Sequence, residues 1–234
     1  MAEEVLNRSS PNGISVLISG AGVGGLMTAL ECWRRGCNVR ILERTKYNVT
    51  SGDSFSIGPT AIGLFRNWPE MQKDCERIAQ KPLLVYCDHT GKRFTKPMEL
   101  EDLMPKELVD AGMRIYRHSR PKFHKMLLDQ LGRIGVAVEY ECEVVEYFED
   151  VSRAVAGVVL KDGSRHEADL AIAADGVRGA SRSLVQGHEI PARSSGDAIF
   201  RIAYPVELAL ADPMVADRFQ MSEEGRSTAE FWVG

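Results

Sequence analysis

The stretch Ile14-Ser15-Val16-Leu17-Ile18-Ser19-Gly20-Ala21-Gly22-Val23-Gly24-Gly25-Leu26 decides how this chain begins to fold. Ile14 to Ile18 is a short apolar, β-branched run that stops at Gly20, the pattern of a strand buried on both faces of a parallel sheet. From Gly24 to Arg35 the apolar residues Leu26, Ala29, Leu30 and Trp33 return at three- and four-residue steps, which predicts a helix with Gly36 as its C-cap. Asn38 to Leu42 is a second strand. Strand, tight turn, helix and strand within about thirty residues make a βαβ unit, whose right-handed crossover requires parallel strands.

The turn of that unit, Gly20-Ala21-Gly22-Val23-Gly24-Gly25, has the form G-x-G-x-x-G. Gly20 permits the tight turn, Gly22 lets the backbone approach a pyrophosphate without a Cβ in the way, and Gly25 allows close helix-to-strand packing. The helix N-terminus then offers unpaired N–H groups and a positive dipole end to phosphates. Glu43 closes the second strand, 23 positions after Gly20. There a carboxylate accepts hydrogen bonds from both hydroxyls of an adenosine ribose and disfavours a 2′-phosphate. The alternative is a solvated strand-end glutamate beside Arg44. Together the glycines and the acid point to NAD or FAD rather than NADP.

Working outward, Thr45 to Pro59 turns to Ser, Gly, Asp, Asn and Thr and is expected to be a loop, with a helix over Thr60 to Trp68. Leu83 to Tyr86 has strand character, His89-Thr90-Gly91-Lys92 a turn, and Arg93-Phe94 the returning edge of a hairpin. Pro121 to Ile134 is expected to be a long helix, with Phe123, Met126, Leu127, Gln130 and Leu131 on one face. Three strand-like runs follow, Val136 to Glu139, Glu143 to Phe148 and Val155 to Leu160, which imply a small antiparallel unit closed by a Lys161-Asp162-Gly163 turn. Asp169 to Ala173 returns to the fully apolar strand type and is expected to rejoin the first sheet, ending at Asp175-Gly176. Ala198 to Val206 is read as a strand of a different region, and Phe231 to Gly234 as part of another.

The bulk numbers exclude several function classes. A net charge of −4, with 44% hydrophobic and 26% charged residues, carries no electrostatic footprint for nucleic acid. No stretch reaches the ~20 apolar residues that cross a bilayer. The five histidines (His89, His118, His124, His166, His188) do not cluster with cysteines at zinc spacing, so no metal site is expected, and His118 and His124 are placed at the surface. The five cysteines are odd in number, contain no CxxC pair and follow no secretory segment. They are read as reduced thiols of a cytoplasmic or otherwise intracellular protein. Met1 to Asn12 is a polar lead-in without period.

Beyond the first unit the chain resembles the FAD-dependent aromatic-ring monooxygenases, the salicylate hydroxylase and p-hydroxybenzoate hydroxylase group, above all its fungal secondary-metabolite members. The resemblance spans about Ile14 to Arg201. It rests on Gly20 to Glu43-Arg44, Ile57-Gly58-Pro59-Thr60-Ala61, Arg120-Pro121-Lys122-Phe123-His124, and Ala174-Asp175-Gly176 through Arg182. It implies an α/β fold: a Rossmann-like FAD-binding βαβ unit with a mixed sheet, plus an incomplete antiparallel substrate-domain region. Residues 1–80 and 111–190 would then form the FAD-binding part. Residues 81–110 would be a substrate-domain hairpin region, and 191–234 the start of the substrate sheet.

The same resemblance places Gly20, Gly22, Gly25, Glu43 and Arg44 at the cofactor. It adds Gly52, through its backbone, and Arg120, which matches an arginine that opens the long helix and reaches the flavin; surface solvation in a basic run is the alternative for Arg120. Asp175 belongs to a D-G-x-x-S-x-x-R motif at the FAD, in which Gly179 here replaces the usual Ser while Arg182 is in place; an Asx-turn is its alternative. Arg201 matches an arginine on the substrate sheet that orients or stabilises a phenolate, and outward exposure is the equal alternative.

The activity implied is hydroxylation of an aromatic or polyketide-like small molecule, with NAD(P)H as transient reductant and oxygen delivered through a C4a-hydroperoxyflavin. The cofactor performs that chemistry, so no triad, dyad or metal cluster is required. A G-D-A-like second cofactor motif belongs to the C-terminal half of the family. Gly196-Asp197-Ala198 has those letters but does not open a helix, so a C-terminal half or a partner chain is expected to complete the flavin site. The competing readings are a truncated noncatalytic flavin-fold protein that binds a ligand or partner, an NAD-dependent dehydrogenase, and a purely structural role.

Overall fold

The computed structural model describes residues 8–47, 52–177 and 179–234. Residues 1–7 of the polar lead-in and Ser51, beside Gly52, lie outside the described residues. The strands are β1 (Ser15–Ser19), β2 (Asn38–Leu42), β3 (Ser54–Ile57), β4 (Leu83–Cys87), β5 (Tyr116–Ser119), β6 (Val138–Glu139), β7 (Val144–Asp150), β8 (Val155–Leu160), β9 (Arg165–Ala168), β10 (Leu170–Ala173) and β11 (Thr228–Trp232). The helices are α1 (Val23–Arg34), α2 (Pro59–Ile62), α3 (Pro69–Ile78), α4 (Lys106–Asp110), α5 (Arg120–Arg133), α6 (Ser181–Gln186), α7 (Val206–Leu210) and α8 (Pro213–Arg218). The chain divides into two compact units: residues 1–51 with 124–199, and residues 52–123 with 200–234. Residues 52–80 therefore group with the second unit by packing.

The first unit is built on a four-stranded parallel sheet of order β10-β1-β2-β6. β1 is its centre, flanked by β2 (Val16↔Val39) and β10 (Val16↔Leu170), which is why Val16, Leu17 and Ile18 are all buried and the strand shows no polar alternation. α1 covers the sheet with Leu26, Ala29 and Leu30, each fully buried. β7, β8 and β9 form an antiparallel sheet whose Val158, Leu160 and Ala168 share a core with Leu17 and Leu42.

One sequence expectation changes here. The run at Val136 to Glu139 is not part of the antiparallel unit: β6 pairs with β2 in parallel, Ile41↔Val138, and β9 supplies the third antiparallel strand instead. A two-residue strand carries too little pattern to declare its partner, and the free edge of β2 decides it.

The second unit holds the antiparallel pair β3-β5 and the parallel pair β4-β11. β3 falls inside the segment expected to be a loop, because its ladder bonds come from β5, Ser54↔Ser119 to Ile57↔Tyr116, and not from local sequence. The 83–94 hairpin is reduced to bridges, Cys87↔Arg93 and Leu84↔Met98. The expected strand at Ala198 to Val206 is absent: the segment is irregular up to α7, and Phe200 and Ile202 are exposed. An alternating run becomes a strand only where a neighbouring edge offers hydrogen bonds, and among the described residues none pairs with it. The long helix stands as expected, with Phe123, Met126, Leu127, Gln130 and Leu131 all buried. No helix among the described residues is long and apolar enough to cross a membrane.

Candidate cofactor site

In the first unit the glycine turn joins β1 to α1, and each glycine has a separate structural reason. Gly20 has φ +105°, and a Cβ on it would run into the Ala174 carbonyl at the end of β10. A Cβ on Gly25 would collide with the Gly20 carbonyl oxygen, so α1 can start against the turn only without one. Gly22 is different. It is the N-cap of α1 in extended backbone (φ −71°, ψ 175°), and a Cβ there would meet nothing within 4 Å.

No side chain caps α1, and its first turn contains no acidic residue. Its leading N–H groups are thus left without a side-chain acceptor beside an open approach at Gly22, which fits the pyrophosphate of a dinucleotide.

Glu43 follows β2 and reaches back to the turn. Its Oε2 accepts the Ala21 N–H at 2.8 Å and its Oε1 the Thr45 N–H at 2.9 Å. Burial favours the neutral acid, but these amide bonds and the Arg44 charge outweigh it and hold the carboxyl below its ordinary range. A carboxylate offers about four acceptor positions, so each oxygen keeps capacity for a ribose hydroxyl. Arg44 is exposed beside it.

Asp175 lies just beyond β10, at the carboxyl edge of the sheet as expected. Its carboxylate accepts from Tyr147 Oη at 2.9 Å, from the Ser181 hydroxyl at 2.7 Å and from the Ser181 N–H at 3.1 Å, and Ser19 hydrogen-bonds the same Tyr147 hydroxyl. Burial, and then the Asp175 charge, raise the Tyr147 pKa, so the phenol stays a donor. The departure at Gly179 has a physical cause: a Cβ there would overlap the Asp175 carboxyl group. Arg182 donates to the Val177 carbonyl at 3.2 Å.

In the second unit Gly52, Arg120 and Arg201 gather around Asp53. Gly52 has φ +151°, and a Cβ on it would press on the Arg120 side chain. The Arg120 N–H donates to the Asp53 carbonyl at 2.9 Å, and Arg201 Nη1 pairs with Asp53 Oδ2 at 3.1 Å. Arg201 does not sit on a strand, and its exposed guanidinium is anchored by this ion pair.

Of the two histidines placed at the surface by sequence, His118 is interior and His124 is half-buried. His118, on β5, is fully buried with Nε2 3.3 Å from Cys75 Sγ. Burial lowers its pKa and pushes the Cys75 thiol up to about 12, so the thiol stays protonated beside a neutral imidazole. His124, on α5, lies against the glycine turn, its Nε2 2.7 Å from the Ala21 carbonyl oxygen. Tyr147 and the contact of His124 with the turn are not legible in sequence because each meets its partner through tertiary packing, whereas Ser181 lies six residues from Asp175 in the same motif. The i+4 place of His124 after Arg120 was the available signal.

A glycine turn at the head of a helix, with a carboxylate at the end of the neighbouring strand, defines a dinucleotide-binding α/β protein. Within that class the chain belongs to the FAD binding domain family, whose family model matches residues 13–204. It is 42% identical over 231 residues to the FAD-dependent monooxygenase fsr3 of Gibberella fujikuroi, a match covering 97% of this chain and 44% of the relative. The chain thus spans about half the length of the curated relatives it matches. The crystal structure of FqzB superposes with a TM-score of 0.75 over 97% of this chain and 49% of that one; at 24% identity this is a likeness of fold. Klebsiella pneumoniae HpxO, solved with FAD and uric acid, is 27% identical with a TM-score of 0.63, covering 76% of this chain and 43% of that one.

Proposed function

We propose that this chain supplies the FAD-binding part of a monooxygenase that uses NAD(P)H and O2 to hydroxylate an aromatic or polyketide-like small molecule. The observation that carries this reading is the open N-terminus of α1 at Gly22, with Glu43 locked against the same turn. Gly20, Gly22 and Gly25 accommodate the pyrophosphate, while Glu43 and Arg44 hold the adenosine ribose. Asp175, at the sheet edge of the first unit, serves the flavin end. Bound FAD supplies the redox and oxygen chemistry, with reducing electrons taken from NAD(P)H. Arg201 acts on substrate charge. A guanidinium has five N–H donors, and the ion pair with Asp53 is made by one nitrogen, leaving donors for a phenolate.

Two assays test this. The purified protein should bind FAD in a fluorescence titration, and the whole enzyme should couple NAD(P)H consumption to a hydroxylated product. A protein that stays colourless with added FAD would refute the proposal.

A further inference from the structure

Ala21, in the middle of the glycine turn, is held from both sides. Its N–H donates to Glu43, and its carbonyl accepts from His124 Nε2 at 2.7 Å. A carbonyl oxygen only accepts, so Nε2 carries the proton of that bond. His124 Nδ1 is buried and without a hydrogen-bond partner among the described residues. Among the described residues the contact with the turn is therefore the hydrogen bond that orients this imidazole.

The consequence lies in the next peptide group. The Ala21 C=O and the Gly22 N–H belong to one planar trans unit and point in opposite directions. Holding the oxygen on His124 turns the Gly22 N–H away from α5 and keeps the negative end of a carbonyl dipole off the start of α1. The preceding peptide is pinned by the same logic: Ala21 N–H on Glu43, and the Gly20 oxygen seated over Gly25, where a Cβ would otherwise stand. Two successive peptides of the turn are thus fixed before any ligand arrives, one by Glu43 and one by His124. An anion site made of backbone N–H groups depends on such preorganisation, because a single flipped peptide replaces attraction by repulsion.

We propose that His124 is a positioning residue of the cofactor site, whose Nε2–H fixes the Ala21–Gly22 peptide so that the Gly22 N–H faces the pyrophosphate. This rests on reading the turn as the FAD site. The test separates phosphate from nucleoside: ADP and adenosine are titrated by calorimetry into the wild-type chain, His124→Leu and His124→Gln, with the melting temperature of each apoprotein recorded. In His124→Leu the ADP affinity should fall by about tenfold, the scale of one well-made hydrogen bond, with adenosine affinity unchanged. His124→Gln, whose amide can donate to the Ala21 carbonyl, should recover most of the loss. Equal weakening of both ligands, or a Gln variant no better than Leu, would overturn the proposal as a mere packing effect.

If His124→Leu does not fold, His124→Asn, too short to reach Ala21, replaces it in the comparison with Gln. Equal ADP affinity in Gln and Asn would then overturn the role. Loss of ADP binding in Gly22→Ala with none in His124→Leu would reject the role of His124 and leave the FAD site standing. A wild-type chain that binds neither ADP nor FAD would overturn both.

Discussion

The three glycines of the nucleotide turn should separate cleanly when each is replaced by alanine. Gly25→Ala places a methyl group on the Gly20 carbonyl oxygen, whose peptide is tied down by the Ala21–Glu43 bond. Overpacking of this kind costs ~1–3 kcal/mol, offset in part by the ~0.5–1 kcal/mol that alanine gains over glycine inside a helix. A net loss of ~1 kcal/mol lowers the melting temperature of a chain this size by about 2–4 °C. Gly20→Ala adds left-handed backbone strain of ~1–2 kcal/mol to a similar collision with Ala174 and should be worse, at ~3 kcal/mol.

Gly22→Ala meets no atom within 4 Å and keeps a backbone that any residue adopts. Its smaller unfolded-state entropy, ~0.4–1 kcal/mol, nearly cancels the weaker N-cap preference of alanine. The apoprotein should therefore melt within ~2 °C of wild type, while ADP and FAD affinity fall because the new methyl occupies the phosphate approach. Calorimetric melting and ligand titration on the three variants read both quantities. A Gly22→Ala protein that melts as low as Gly25→Ala, or binds ADP as well as wild type, would refute the division of labour derived for the turn.

Glu43 gives a pH test: its folded pKa lies below the ordinary 4.5, so it contributes stability above about pH 4.5 that is lost as pH falls through the depressed value. Urea unfolding of Glu43→Gln against wild type should show a gap at neutral pH that closes in acid; a gap independent of pH would remove the carboxylate from the turn. Restoring the usual serine at Gly179 should harm the protein, because its Cβ overlaps the Asp175 carboxyl, with an expected loss of ~1–3 kcal/mol by thermal melting; a neutral Gly179→Ser would show that the Asp175 network is not held as described. Arg201→Ala breaks an exposed ion pair and should change stability by less than ~1 kcal/mol. Flavin content should remain and turnover of the whole enzyme should drop; normal kcat and KM would take Arg201 out of the site.

The βαβ unit and its ligand class were legible in the residues alone because their determinants are local. Ile14 to Leu42 carries its own periodicity, and the glycine spacing expresses a local backbone requirement at Gly25, which packs on the Gly20 carbonyl, although Gly20 also answers to the distant Ala174. The buried face of α5 was legible for the same reason, a helical repeat from Phe123 to Leu131. Tertiary structure decided whatever depends on a distant partner: β6 joins the parallel sheet because β2 offers it an edge, β3 forms because β5 lies opposite, and Ala198 to Val206 stays irregular because no described strand pairs with it. It also moved His118 from the expected surface to the interior and set a half-buried His124 against the glycine turn. It showed that the acid which grips the ribose in the sequence reading first grips the turn itself. Side-chain chemistry alone assigns what a residue can bind. Which of its hydrogen bonds are already taken is set by residues 22 positions away, as for Glu43, or 103, as for His124.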